Sequence, residues 1–326
     1  MSRVTVLMAA YNSSRFVGKS IESMLRQTMT DWQLVCVDDA STDNTADILE
    51  SFAQKDPRIE VVRLLKNGGI AKARNAGLSV ATGEFVCMLD SDDWLSADAL
   101  EKACQVFDEY PATDSVLFQV DEVYDDHVRR FPLPSVDFMT GEQAFQASLT
   151  WKIHGLYLIR ASIHRQYPYD ESSLHYSDEN VTRIHYLRSR EVRFCQGVYY
   201  YLQHESSVTH RVSVRRFDCL RANESMRQML IEAQVSDMIL ANYEKVRWLN
   251  LVDAYLFYYK NRKSLSRDDC SRGLKEMRHT WSTVHTEAVP LRLRVKFGYM
   301  PLRPFWWLFR CQEELYFSLR RLFGKN

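Results

Sequence analysis

A mainly parallel α/β sheet flanked by helices, with an α-helical C-terminal extension, is the fold this sequence predicts. Strand-like and helical stretches alternate four times within the first ninety residues, which is the βαβ pattern of a parallel sheet with helices on both faces. The apolar runs at 4–9 and 85–89 are short and nearly unbroken, as strands buried on both faces require. From about residue 214 onward almost every stretch reads as helix. The predicted division is 1–212 for the α/β part and 213–326 for the helical part.

The elements follow in order. Residues 4–9 form a first strand, and Tyr11-Asn12-Ser13-Ser14 turns into a helix marked by Phe16, Val17, Ile21, Met24 and Leu25 at helical spacing. A second strand at 33–37 ends in Asp38-Asp39, and Ser41 and Thr42 offer caps for a helix over 44–54. A third strand at 60–65, the turn Asn67-Gly68-Gly69 and an Ala-rich helix at 70–80 come next. The fourth strand, 85–89, runs into Asp90-Ser91-Asp92-Asp93. Further on, helices are expected at 95–110, 140–151 and 178–189, and strands at 115–120, 122–130, 153–159 and 192–204. Helices at 216–233, 236–261 and 266–285 complete the reading.

Composition narrows the function classes. Hydrophobic residues make up 46% and charged residues 26% of the 326, a globular balance that excludes a disordered chain. Seven cysteines without a C-x-x-C pair argue for a reducing compartment and against a disulfide framework or zinc site. The start, MSRVTVLMAAYN, lacks a signal-peptide layout, and no apolar run reaches bilayer-spanning length. These point to a cytoplasmic protein with no nucleic-acid partner. The net charge of zero is divided unevenly: residues 1–180 hold 16 Lys and Arg against 28 Asp and Glu, and residues 181–326 hold 26 against 14. An acidic half suits a cation; a basic half suits anionic lipid or phosphate.

Chemistry concentrates where strands end. In open α/β sheets, ligands bind at the carboxyl edge, and three strand ends carry Tyr11-Asn12, Asp38-Asp39 and Asp90–Asp93. Three carboxylates within four positions repel one another unless a cation neutralises them. Hard cations such as Mg2+ or Mn2+ are the natural partners of such oxygens.

The stretches VTVLMAAYNSSRFVGKSIESMLRQTMTDWQLVCVDDASTDNT and NGGIAKARNAGLSVATGEFVCMLDSDDW resemble the inverting family 2 glycosyltransferases of GT-A, Rossmann-like fold. The likeness is dense over about the first 110 residues, the donor half, and thinner through 111–212, the acceptor half. It implies a nucleotide-diphospho-sugar donor, UDP-linked, a divalent metal, Mn2+ or Mg2+, and a glycan or lipid-linked acceptor in polysaccharide synthesis. By position, Ala10, Tyr11 and Asn12 would line the nucleotide pocket. Asp39 would accept a hydrogen bond from the base, with Asp38 beside it, and Arg74 would contact the nucleotide or its phosphate. Asp90 and Asp92 would be the D-x-D pair, Asp90 toward the ribose and Asp92 on the metal, with Ser91 between them; Asp93 would support the turn.

An inverting transfer needs a base that takes the proton of the attacking hydroxyl. The family's acidic pair, Glu-Asp, is reversed here as Asp178-Glu179. Position favours Glu179, and Asp178 stays an alternative. In Tyr199–His210 the family's arginine is replaced by Leu202, and His204 or His210 would touch the metal or diphosphate. Two rival readings remain at this stage. One is a degenerate, glycosyltransferase-like scaffold. The other is a nucleotidyltransferase, disfavoured because Tyr-Asn-Ser-Ser stands where a Gly-rich phosphate loop is needed.

The tail carries Phe305, Leu308, Phe309, Leu315, Tyr316, Leu319, Leu322 and Phe323 beside Arg310, Arg320, Arg321 and Lys325. A basic amphipathic stripe of this kind suits the inner membrane surface, through 290–326. It equally suits packing on its own domain or on a second copy in a homodimer.

Overall fold

The computed structural model describes residues 2–172, 176–204, 213–302 and 304–324. The chain forms two compact units, one of Met1–Glu171 with Ser177–Thr209, the other of Ser172–Tyr176 with His210–Asn326.

The first unit is built on a ten-stranded sheet. Strand β1 (Val4–Ala10) lies between β2 (Trp32–Asp38) and β4 (Phe85–Met88), parallel to both, and β3 (Ile59–Arg63) extends β2 in parallel. The joining helices are α1 (Val17–Leu25), α2 (Thr45–Ala53) and α3 (Ile70–Val80). Side-chain alternation divides β1 between two cores. Val4, Val6 and Met8 face Val17, Ile21 and Met24 of α1, while Leu7 faces Ala71, Ala73 and Leu78 of α3 with Val35 and Val37. Because β1 is buried on both sides, its sequence is apolar except for Thr5, whose hydroxyl bonds Gln33 at 2.8 Å. The predicted fold class is the observed one.

Later elements depart from expectation in instructive ways. Residues 94–95 are a short strand, β5 (Trp94–Leu95), and the helix after it, α4 (Ala99–Glu109), starts later than predicted. Leu95 pairs with Tyr199 across the sheet, a partner that no local pattern reveals. The strands expected at 115–120 and 122–130 are one long strand, β6 (Thr113–Val123), and a hairpin partner, β7 (Val128–Arg130). Asp121, read as a break, instead sits inside β6 and binds Arg130 at 2.5 Å. Next come β8 (Met139–Thr140) and α5 (Gly141–Ser148), whose start carries a capping box from Thr140 and Gln143. Strand β9 (Tyr157–Arg160) is antiparallel to both β4 and β6. Helix α6 (Ala161–Gln166), not foreseen, precedes α7 (Ser177–Arg188) and β10 (Glu191–Leu202), which runs parallel to β6. The sheet order is therefore β3-β2-β1-β4-β9-β6-β10-β5.

The second unit is helical: α8 (Asp218–Glu232), α9 (Asp237–Asn261), α10 (Arg267–Thr283), α11 (Leu291–Arg294) and α12 (Trp306–Leu322). Phe309 and Phe317 of α12 are buried in its core with Trp248 and Tyr255 of α9. The tail stripe thus packs on its own unit through one face. Trp307, Leu315, Leu319, Leu322 and Phe323 remain exposed. No helix among the described residues is long and apolar enough to cross a membrane.

Candidate active site

The ends of β1, β2 and β4 meet at one edge of the sheet. Asp39 donates its backbone N–H to the Ala10 carbonyl at 2.9 Å. Ser13 Oγ and Ser91 Oγ lie 2.8 Å apart, and Ser20 Oγ donates to the Ser91 carbonyl at 3.0 Å. Asn12 adopts φ 51, a left-handed conformation that asparagine tolerates better than most residues. Its side-chain oxygen accepts the Thr42 N–H at 2.8 Å, which ties the first loop to the second. Tyr11 is half exposed.

The paired acids Asp38 and Asp39 are buried but bonded. Asp38 accepts the Ser41 N–H at 3.2 Å. Asp39 accepts the N–H groups of Gly68 and Gly69 at 2.7 and 2.9 Å. Gly69 has φ 86, so only a residue without Cβ makes this turn cheaply. Asp39, expected to meet a nucleotide base, also anchors the glycine loop that opens α3.

Arg74 is the central cation. It projects from α3 and is 1% exposed. One guanidinium nitrogen bonds Asp90 at 2.6 Å and another bonds Asp178; the plane lies 5.3 Å from the Tyr169 ring. Burial alone would lower its pKa. The charges of Asp178 and Asp90 outweigh burial and hold it above the ordinary arginine value. Sequence position suggested a nucleotide contact for Arg74. The structure shows a bridge between the acid at the end of β4 and the acid at the start of α7.

Around Asp90 each acid has a different environment. Asp92 receives His204 Nε2 at 2.9 Å, and that imidazole stacks on Phe16 at 4.9 Å. Burial first, then the charge of Asp90, pushes Asp92 above the usual carboxylate range, while the His204 bond pulls it down. Asp93 is 1% exposed. It accepts Tyr199 O–H and Leu202 N–H, both at 2.8 Å, and the same Tyr199 oxygen accepts the Asp90 N–H at 3.0 Å. Burial and its two acidic neighbours push Asp93 up to about 9, while the bonds from Leu202 and Tyr199 pull it down. Tyr199 and Asp93 together fix the turn that presents Asp90 and Asp92. Position 202 contributes only its backbone to this bond. His210 lies outside the described residues.

A cavity of about 330 Å³ opens beside these groups. Asp90, Asp178 and Glu179 all line it, as do Arg183 and Thr182 of α7 and Val120, Phe131 and Tyr201 of the sheet side. Glu179 pairs with Arg183 at 2.8 Å, one helical turn on. Arg183 is buried, and its Nη1 has no hydrogen-bond partner among the described residues. His154, on the cavity wall, is neutral. Burial lowers it to about 4, and its ring nitrogens bond the Phe118 carbonyl and the Leu156 N–H. Sequence reading missed Arg183 and Tyr199. The i,i+4 spacing of Glu179 and Arg183 was a usable signal, whereas Tyr199 could be found only through the β5–β10 pairing.

Among the described residues no three His, Cys, Asp or Glu side chains form a cluster that could hold a metal ion alone. Asp90 and Asp92 nevertheless offer two hard oxygen donors. That number suits a small divalent cation whose other ligands come from substrate phosphates and water.

The chain matches the family model described as glycosyl transferase family 2 over residues 5–167. It is 26% identical over 271 residues to glycosyltransferase GlyG of Streptococcus pneumoniae, covering 77% of this chain and 87% of that one. It is 36% identical over 104 residues to chondroitin synthase of Pasteurella multocida, covering 32% of this chain and 11% of that one. Residues 1–349 of S. aureus TarS, solved in complex with UDP-GlcNAc, align with a TM-score of 0.75 at 21% identity, covering 97% of this chain and 92% of that one. The mannosyltransferase PcManGT of Pyrobaculum calidifontis, solved with GDP-Man and Mn2+, aligns with a TM-score of 0.53 at 16% identity, covering 99% and 88%. At these identities the two structures speak for the fold.

Proposed function

The chain belongs to glycosyl transferase family 2, and from that premise we propose that it moves a sugar from a UDP-sugar to a hydroxyl of a glycan or lipid-linked acceptor, with inversion at the anomeric carbon. The observation that carries this reading is the Arg74 bridge. It joins the acid of the D-x-D turn to Asp178 of α7, and both line one cavity with Glu179. Donor-side and acceptor-side chemistry then share a wall, as direct displacement requires. The UDP-GlcNAc bound by TarS and the polysaccharide role of chondroitin synthase support the donor and acceptor classes.

In this reading Ala10, Tyr11, Asn12, Asp38 and Asp39 surround the nucleotide, with Ser91 and Asp90 toward the ribose. Asp92 and Asp90 would hold Mn2+ or Mg2+, and the Mn2+ of PcManGT supports that assignment. Such a cation supplies positive charge to the departing diphosphate. Glu179 takes the acceptor hydroxyl proton as that oxygen bonds to the anomeric carbon and the bond to the diphosphate breaks. Asp178 is the weaker base, because protonating it would leave the buried Arg74 with one carboxylate in place of two. His204 orients Asp92. Residues 1–212 are the catalytic domain in this proposal. The helical remainder rests on an anionic membrane surface through the exposed side of 290–326, where Trp307, Leu315, Leu322 and Phe323 stand in solvent.

Nucleotide release from a panel of UDP-, GDP- and dTDP-sugars, with Mn2+ or Mg2+, tests the reading. One donor class is expected to turn over, and Asp92→Asn should remove the metal-dependent rate. Glu179→Gln should keep calorimetric nucleotide binding and lose transfer by about 10²–10⁴-fold. Silence across the panel would replace the enzyme by a binding scaffold, and full activity of Glu179→Gln would move the base to Asp178. Membrane association is checked by co-sedimentation with anionic vesicles. Binding unchanged by the paired substitutions Leu315→Glu and Leu322→Glu would remove it.

A further inference from the structure

Trp151 stands out from the rest of the cavity wall. It follows α5 and adopts φ 55. Its N–H donates to the Ser148 carbonyl at 3.2 Å, and the Lys152 N–H donates to the Ala147 carbonyl at 3.0 Å. Those two bonds close a Schellman turn, whose left-handed position is ordinarily filled by glycine. A tryptophan there strains the backbone. The indole does not offset that strain by packing. It is 56% exposed, it lines the cavity that holds Asp178 and Glu179, and among the described residues it makes no ring contact or side-chain hydrogen bond. A bulky aromatic held in a strained conformation, more than half exposed and on the wall of the cavity that carries the reactive acids, is placed for a ligand rather than for stability.

The character of the cavity narrows the ligand. Its walls combine apolar groups, among them Ile153, Phe131 and Tyr201, with five acids, one arginine and the histidine His154. The acids are Asp90, Asp93, Glu122, Asp178 and Glu179, and the arginine is Arg183. The C–H groups along one face of a pyranose match the electron-rich face of an indole, and its hydroxyls match the carboxylates. A uronate or a phosphate-bearing unit would meet repulsion from Asp90, Glu122, Asp178 and Glu179, four carboxylates that outnumber the three arginines bonded to them, Arg74, Arg129 and Arg183.

We propose that Trp151 is the platform on which the acceptor's sugar ring stacks, and that this ring is an uncharged pyranose. The inference rests on the glycosyl-transfer reading of the same cavity and adds the acceptor's chemical class and the residue that selects it. Trp151 presents the ring, and Glu179 meets the hydroxyl that attacks.

Saturation-transfer NMR on the full chain tests it, with methyl β-D-glucopyranoside, methyl β-D-galactopyranoside and methyl β-D-glucuronide as probes. At least one neutral pyranoside should receive saturation, strongest on the C–H groups of one ring face, and the glucuronide should receive several-fold less. Trp151→Phe should keep the signal and Trp151→Gly should lose it. Because glycine relieves the left-handed strain, Trp151→Gly should also raise Tm by about 2–4 °C. A merely structural tryptophan would lower it. The proposal is overturned by absence of saturation on every neutral probe, by a signal that survives Trp151→Gly, by equal or stronger transfer to the glucuronide, or by a fall in Tm. Its failure is separable from that of the underlying reading. Absence of nucleotide release from every donor with the unaltered chain overturns glycosyl transfer itself, whereas release together with a sugar signal indifferent to Trp151 overturns only the platform.

Discussion

Two arginines, one in each unit, are buried to the same degree and bonded to carboxylates in the same way, yet they differ in what surrounds the acids. Arg74 is 1% exposed and holds Asp90 and Asp178, whose side chains are 31% and 43% exposed. Arg247 is 0% exposed and holds Glu244, 5% exposed, at 2.9 Å, together with Glu224. It also bonds Thr283 of α10 at 2.9 Å, so it links α8, α9 and α10. Glu244 is further bonded by Arg227 at 2.5 Å and by the His285 N–H at 3.1 Å. Of the acids on Arg247, Glu244 is closed into the core and Glu224 is 38% exposed; what sets Asp90 and Asp178 apart is that both line the cavity. A buried cation whose partners do not border that cavity is a staple. One whose partners face a cavity pre-orients acids for a ligand, and the second arrangement leaves part of each carboxylate unspent.

The largest expected effects break this contrast directly. Arg74→Met should cut transfer by about 10²–10³-fold, because Asp90 and Asp178 then repel across the cavity and the donor and acceptor sides lose their common anchor. Arg247→Met should instead lower the stability of the chain by about 3–5 kcal/mol, the usual cost of stranding buried charges, while the folded protein keeps its transfer rate. Denaturant unfolding and transfer assays on both variants decide the matter; a catalytic loss in Arg247→Met equal to that in Arg74→Met, measured on folded protein, would erase the distinction.

A smaller effect sharpens it. Glu313 of α12 is a buried acid that no arginine meets among the described residues. Its Oε1 accepts from Gln312 at 3.0 Å, and its Oε2 has no partner among the described residues. Burial pushes its carboxyl up to about 8, against an ordinary 4.5. The unfolded chain releases this proton near pH 4.5 and the folded chain holds it until about 8. Stability contributed here is therefore full below 4.5 and is lost as pH rises through that window. Glu313→Gln should flatten the dependence and stabilise the chain at pH 8 by about 1–3 kcal/mol. A melting curve of the variant that still falls between pH 5 and 8 by as much as the parent's would point to another group.

Much of the first unit was legible because its order is local. The alternating pattern of β1 through β4 depends on apolar runs and on cap or turn residues within a few positions, and those elements appear within one or two residues of expectation. The boundaries that moved depend on distant partners. Leu95 joins a strand because Tyr199 lies beside it, and Asp121 stays in β6 because Arg130 answers it. The tail stripe was readable as amphipathic, but which of its faces would be covered was not, since Phe309 and Phe317 find their core through α9.

The strand-end acids illustrate the same limit at the site. By itself, the sequence determined that Asp38-Asp39 and Asp90–Asp93 would sit where parallel strands leave the sheet, because strand period and hydrophobicity depend on neighbours in the chain. Only the tertiary structure decided that Arg74 would join Asp90 to Asp178, 88 residues apart, that Tyr199 would brace Asp93, and that Trp151 would stand strained over the cavity. Those arrangements follow from long-range packing, in which a buried charge must find an opposite one and a bare aromatic face must be left by whatever does not cover it.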